Sequence, residues 1–255
     1  MEVKPDTAWT DDEIVMSDMT PDTDFVFARM TEETLLAVDA RAGERILDVA
    51  CGRAIDAMAM AKSGAALTGI EASETMIRKA VEFMGADRRR VRLTRSLAEN
   101  LPFHDHSFDK VVCKGAMDHF ADLDESMAEM ARVVKPDGKV IIAIANFESL
   151  TCRLGRLVWS LKEKLTGQGP GEHPFWEPPE DHNFKFDLKV LRKVMGGHCR
   201  IEKIKGVSML WGYPKWGAFL RKHPLLTPPV LRALDRAARA APSLSDVLVA
   251  VGRPA

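Results

Sequence analysis

The sequence predicts an α/β fold built on a doubly wound, mostly parallel sheet, and three observations carry that prediction. From residue 45 to 145, short apolar runs alternate with amphipathic helical stretches, the rhythm of parallel strands joined by crossover helices. The first apolar run passes through an acid into a loop of small residues, Leu47-Asp48-Val49-Ala50-Cys51-Gly52-Arg53-Ala54. Only small residues let a ligand lie against the backbone where a helix N-terminus presents unpaired N–H groups. A second acid, Glu71, ends the next strand, where folds of this kind hold a ribose.

The elements follow in order. After an acidic, irregular start with Pro5 and Pro21, a helix over 24–40 leads into the sheet. Strand 45–49, helix 54–63, strand 65–70, helix 74–85 and strand 90–95 come next, then strand 108–114, helix 122–134 and strand 138–145. Pro136-Asp137-Gly138 is the expected turn into the fifth strand, its glycine supplying a positive φ. After Asn146 the rhythm breaks. Phe147, Leu150, Leu154, Leu157, Val158, Leu161 and Leu165 recur at helical spacing, and a loop rich in glycine and proline follows, with Gly167, Gly169, Gly171 and Pro174. A helix over 187–196 and strand 200–208 resume the pattern. Trp211, Tyr213, Trp216, Phe219 and Leu220 open a helical stretch reaching Ala240, broken at Pro224 and Pro228-Pro229. Residues 245–251 form the seventh and last strand, expected to be antiparallel. The chain therefore divides into an acidic segment and helix (1–40), a nucleoside-cofactor core (41–146), an inserted helix and loop forming a cap (147–186), and a C-terminal part of the same fold with acceptor-site helices (187–255).

Composition narrows the function. With 46% hydrophobic and 29% charged residues over 255 positions, the chain can bury one large core. A net charge of −1 excludes a general nucleic-acid binder. The average hides an asymmetry: residues 1–35 hold ten acids against Lys4 and Arg29, and residues 200–255 hold ten Lys/Arg against Glu202, Asp235 and Asp246. These are either solvated faces or a basic surface for an anionic group or a membrane. Cys51, Cys113, Cys152 and Cys199 are far apart, as free thiols in a reducing compartment are. No apolar run approaches a membrane span and the N-terminus lacks a signal-peptide pattern, so a cytoplasmic protein is expected, its oligomeric state open.

Charge also selects the cofactor. From Gly52 the loop reads Gly52-x-Ala54-x-x-Ala57, a weak match to the dinucleotide fingerprint. A pyrophosphate here would face Asp48 and Asp56 with only Arg53 to offset them, whereas a cationic cofactor would be welcomed by the same acids. At this point the chain resembles the class I S-adenosyl-L-methionine-dependent methyltransferases, in particular the small-molecule and quinone-biosynthesis branch. The resemblance rests on the glycine-containing loop, on Gly69-Ile70-Glu71-Ala72-Ser73-Glu74-Thr75-Met76, on Ala98-Glu99-Asn100-Leu101-Pro102-Phe103 with Ser107-Phe108-Asp109, and on Arg132-Val133-Val134-Lys135-Pro136-Asp137-Gly138. It implies a Rossmann-like sheet and S-adenosyl-L-methionine as cofactor. It further implies that Asp48 and the backbone of Ala50, Cys51 and Gly52 hold the methionyl end, with Lys114 beside it. Glu71 would take the ribose hydroxyls, and Ala72, Met76, Leu97 and Ala98 would surround the adenine. Three departures stand out, the mildest being Asp137 in place of a common glycine, which a turn tolerates. Ala54 replaces a usual glycine, and Leu97 stands where the family often has an acid that accepts from the adenine amino group.

Methyl transfer is an in-line displacement at a carbon activated by positive sulfur, so alignment, excluded water and removal of the acceptor's proton do most of the catalysis. His119 is the candidate base and Asp118 the group that orients it or holds an acceptor hydroxyl, on the loop leaving the fourth strand; packing or capping of the next helix is the competing role for His119. His182 is a candidate acceptor-pocket residue or a surface histidine. Phe175, Trp176, Trp211 and Tyr213, on the segments that differ from a minimal fold, are candidates for an apolar acceptor pocket, with 167–182 as a lid. The seven histidines form no ligand cluster in sequence, and no metal is expected. The expected partner is a small apolar acceptor and not nucleic acid, with peripheral membrane contact through the basic C-terminal region. The alternatives are a non-catalytic cofactor-binding protein and, third, a nicotinamide oxidoreductase.

Overall fold

The computed structural model describes residues 7–11, 19–167, 169 and 174–255. Gly171 and most of the acidic start lie outside these residues. Helix α1 (Pro21–Val38) begins on a proline, which suits a first turn that has no N–H to satisfy. The core then runs β1 (Arg45–Val49), α2 (Ile55–Ala61), β2 (Ala66–Glu71), α3 (Glu74–Met84), β3 (Val91–Arg95), β4 (Phe108–Lys114), α4 (Leu123–Val133) and β5 (Val134–Ala145). Helix α5 (Leu150–Thr166) interrupts the alternation. It is followed by α6 (Leu188–His198), β6 (Cys199–Val207), α7 (Trp216–Lys222), α8 (Thr227–Ala240) and β7 (Val247–Pro254).

The seven strands lie in the order β3-β2-β1-β4-β5-β7-β6, with β7 antiparallel to both neighbours and the others parallel. The order reverses between β1 and β4, and a crevice opens beyond the carboxyl ends of the strands at such a switch point. Strand residues alternate between two cores. Leu47, Val49, Val111, Cys113, Ile142 and Ile144 face α4 and α6, while Ile46, Leu67, Val112, Ile141 and Ala143 face α1, α2 and α3.

Two local expectations are corrected. Gly138 is not a positive-φ turn residue: β5 already starts at Val134, pairs with Phe108, and resumes at Lys139 opposite Lys110 after a register shift. The glycine is needed for space, because a Cβ there would stand 2.6 Å from the Asp109 carbonyl oxygen. Pro228 and Pro229 do not break a helix but open one, in the first turn of α8, where the missing N–H groups are tolerated. The real break is at 223–226, bridged by Thr227 Oγ1 donating to the Leu220 carbonyl at 2.7 Å.

Part of the charge asymmetry is consumed inside the fold. On α1, Glu33 pairs with Lys205 at 2.7 Å and Arg239 at 3.1 Å, and Arg29 reaches Asp235 at 3.2 Å. No described helix is long and apolar enough to cross a membrane.

Candidate active site

The first loop is bent by its own backbone. Ala50, Gly52 and Ala54 have φ of +56°, +52° and +59°, so two alanines occupy the left-handed region where glycine is at ease. Backbone hydrogen bonds fix the bend. Cys51 N–H donates to the Ile70 carbonyl at 2.9 Å, and Gly52 N–H donates to Glu71 Oε2 at 3.0 Å. Ser73 N–H donates to Glu71 Oε1, also at 3.0 Å. Glu71 is thereby buried and immobilised, and each oxygen keeps acceptor capacity for a ligand hydroxyl. Gly69 makes room for the loop, since a Cβ there would lie 2.7 Å from Cys51 Sγ.

A cavity of about 240 Å³ opens at the ends of β1, β2 and β4. It is lined by Asp48, Ala50, Cys51, Gly52, Glu71, Ala72, Met76, Leu97, Ala98 and Lys114, the ten residues expected to surround a cofactor, and by His119. Their charges are unequally balanced. Arg53 pairs with Asp11, and Lys114 pairs with Asp56 at 2.6 Å while donating to Thr31 Oγ1 at 2.9 Å. Asp48 and Glu71 make no ion pair among the described residues. Burial first, then the nearby Asp56, push Asp48 up to about 8, with Lys114 pulling the other way. Burial followed by Asp48 and Glu71 pushes the Cys51 thiol well up, so it lines the cavity as a neutral group. A buried acidic pocket of this kind favours a ligand that brings its own positive charge.

The opposite end is closed by a one-turn 3-10 segment, Met117–His119. His119 lines the cavity, with Trp9 at a ring distance of 5.9 Å. Asp118 does not line it but is buried behind. His182 arrives from the segment after α5, and its ring meets that of His119 edge-on at 4.5 Å. Its Nδ1 lies 3.0 Å from Asp118 Oδ2. Burial lowers the His182 pKa, with Asp118 opposing, which keeps the imidazole neutral. The expectation that the histidines form no ligand cluster is therefore corrected: Asp118, His119 and His182 each offer a ligand atom, all within 4.8 Å of one another. No spacing rule reveals this, because His182 is brought in by tertiary packing alone.

The remaining acceptor candidates are not cavity residues. Trp176 is buried against α5, where Phe175 and Trp176 leave only a glycine's space at Gly155: an added Cβ would meet each ring at 2.6 Å. Trp211 packs edge-on against Phe27 and donates its indole N–H to Thr23 Oγ1 at 3.2 Å. Tyr213 meets Phe175 at a ring distance of 6.0 Å. These aromatic residues fasten the inserted segments to the body of the fold, and none of the four lines the cavity.

Sequence reasoning overlooked the part played by residues 7–11. Trp9 and Asp11 line the cavity, and Asp11 is held by Arg53 and by Lys79 at 2.8 Å. The only signal was chemical, an acid far upstream with two cations of the core to receive it.

Comparisons with known proteins agree with this geometry. Residues 47–142 match the family model described as a methyltransferase domain. Methyltransferase GfsG of Streptomyces halstedii is 36% identical over 118 residues, 45% of this chain and 42% of that protein. A demethylmenaquinone methyltransferase of Corynebacterium efficiens is 34% identical over 120 residues, 47% of this chain and 48% of the relative. The chain thus spans less than half the length of these relatives. Among solved structures, PH0226 protein from Pyrococcus horikoshii superposes with a TM-score of 0.61 at 18% identity, covering 97% of this chain and 100% of that one. That likeness speaks for the fold alone.

Proposed function

We propose that this chain, whose residues 47–142 match a methyltransferase-domain model, is a class I methyltransferase that uses S-adenosyl-L-methionine to methylate oxygen or carbon of an apolar small-molecule or lipid-like acceptor. The observation that carries the reading is the pair Asp48 and Glu71, buried acids without an ion pair among the described residues, in a cavity at the sheet's switch point. Asp48 and the backbone of Ala50, Cys51 and Gly52 would receive the cationic methionyl end beside Lys114, and Glu71 the ribose hydroxyls. Ala72, Met76, Leu97 and Ala98 would enclose the adenine. His119 then stands where the methyl group leaves the cavity and directs the acceptor's reacting atom, positioned by Asp118 and His182 behind it. Alignment and exclusion of water supply the catalysis.

The relatives named demethylmenaquinone methyltransferase favour a quinol-like acceptor. Exposed Lys222, Leu225, Leu226, Arg232 and Arg236 support contact with a lipid surface that would deliver one. The test is transfer of a radiolabelled methyl group from S-adenosyl-L-methionine to a prenylated hydroxyquinol. Label in the organic extract is expected, and it should be lost in Glu71→Ala. Failure of the wild type to bind S-adenosyl-L-methionine would overturn the reading. Leu97, which leaves the adenine edge without a carboxylate, favours a second reading as a non-catalytic binding protein. Binding without transfer to any acceptor would establish it.

A further inference from the structure

We propose that Asp118, His119 and His182 bind one divalent transition-metal ion, of the Zn²⁺, Co²⁺ or Fe²⁺ kind, at the acceptor end of the cavity. The donor set is one carboxylate and two imidazoles, with one ligand atom from each residue and all three within 4.8 Å of one another. Imidazole nitrogens select such ions over Mg²⁺ and Ca²⁺, which prefer oxygen alone. Ligand atoms about 2.0–2.2 Å from a shared zinc ion lie about 3.3–3.6 Å apart in a tetrahedral site, so side-chain rotations that draw the three atoms together complete it.

Unmet polar capacity is the second, independent observation. Asp118 Oδ1 and His119 Nδ1 are buried without a hydrogen bond, and His182 Nδ1, though 3.0 Å from Asp118 Oδ2, is not aligned to make one. Leaving one such group unsatisfied is costly, and three in one place call for a shared occupant. Their scaffold is well fixed, as that of metal ligands is. Asn183 and Phe184 donate their backbone N–H groups to the Asp118 carbonyl at 2.7 and 3.1 Å. The Asn183 amide donates to the carbonyls of His119 and Phe120 at 3.0 and 3.1 Å. Asp181 Oδ2, 3.8 Å from His119 Nδ1, is a further oxygen within reach. Three protein ligands leave coordination positions open, the mark of a site that also takes water or substrate. The consequence for catalysis rests on the methyltransferase reading: an ion beside His119 would take the oxygen of an acceptor that carries a hydroxyl or carbonyl group, and so select for one.

The experiment uses chelator-treated protein titrated with Zn²⁺ and, separately, with Co²⁺, whose ligand-field absorption reports imidazole coordination. One ion per chain is expected, with binding at least about thirtyfold weaker in His182→Ala and in His119→Gln. No stoichiometric binding, or equal affinity in both variants, would overturn the proposal and leave an ordered water as the occupant. S-adenosylhomocysteine is titrated into the same preparations. Cofactor binding without metal binding rejects the ion alone, and metal binding without cofactor binding rejects the methyltransferase reading alone.

Discussion

The two ends of the cavity are built in opposite ways. At the β1 and β2 end, the backbone does the work: a left-handed loop, N–H groups of Gly52 and Ser73 on Glu71, and a glycine in the next strand that clears the way. Every part comes from a stretch of 27 positions, 48 to 74. At the His119 end, side chains from the loop after β4 and from the segment after α5 converge, and Asp118 Oδ1 and His119 Nδ1 are buried there without a hydrogen bond. The first end is complete in itself and preorganised. The second is shaped for something that binds there, and the contrast teaches which half of the site depends on long-range packing.

The largest effect should come from the packing that holds the second end in place. Trp176→Ala is expected to destabilise the protein by about 3–5 kcal/mol in denaturant unfolding, as removal of a buried ring does. If the ring were a mobile lid, stability would hardly change and only the Michaelis constant of the acceptor would rise. Next, His119→Ala should lower turnover about a hundredfold or more while leaving cofactor affinity nearly unchanged, because it touches the acceptor end alone. A variant with wild-type turnover would reduce that end to a structural role.

Asp48 offers a pH test of the first end. Burial and Asp56 push Asp48 up to about 8, so it is protonated at lower pH, whereas the α-ammonium group of a ligand binds its charged form. Affinity for S-adenosylhomocysteine should therefore rise between about pH 6 and 8, by up to about tenfold per unit, with proton release on binding. The same raised value works against folding. Between the unfolded value near 4 and the folded value near 8 the native state holds a proton that the unfolded chain has lost, so this contribution to stability falls as pH rises. Asp48→Asn should flatten the affinity profile, weaken binding at pH 8 and raise the melting temperature of the empty protein there. An unaltered pH profile in that variant would assign the dependence to another group.

The smallest effect concerns loop strain. Ala54 sits at φ +59°, so Ala54→Gly should stabilise the protein by about 0.5–1 kcal/mol, read as a rise in melting temperature. A loss of stability would mean that packing of the buried methyl outweighs the relief.

The same contrast explains what the sequence made legible. Strand-to-helix loops are local, so the alternation of apolar runs pointed to the loop after Asp48 and to Glu71, and the family resemblance supplied the rest of the ten expected cofactor residues, which line one cavity. Gly138 and Pro228-Pro229 were misread because the signal of a turn residue is the same whether it bends the chain, clears space for a bulge or opens a helix. Phe175, Trp176, Trp211 and Tyr213, expected at an acceptor pocket, fasten an inserted segment outside the cofactor cavity, a difference that aromatic composition does not encode. The meeting of His182 with Asp118 and His119, and the arrival of Trp9 and Asp11 at the cavity, are products of tertiary folding that no spacing encodes.

The most direct test of the central claim is a crystal structure of the protein with S-adenosylhomocysteine. The account predicts both ribose hydroxyls on the Glu71 carboxylate, the α-amino group beside Asp48 and the sulfur turned toward His119. Density elsewhere, or a ribose that does not touch Glu71, would contradict it.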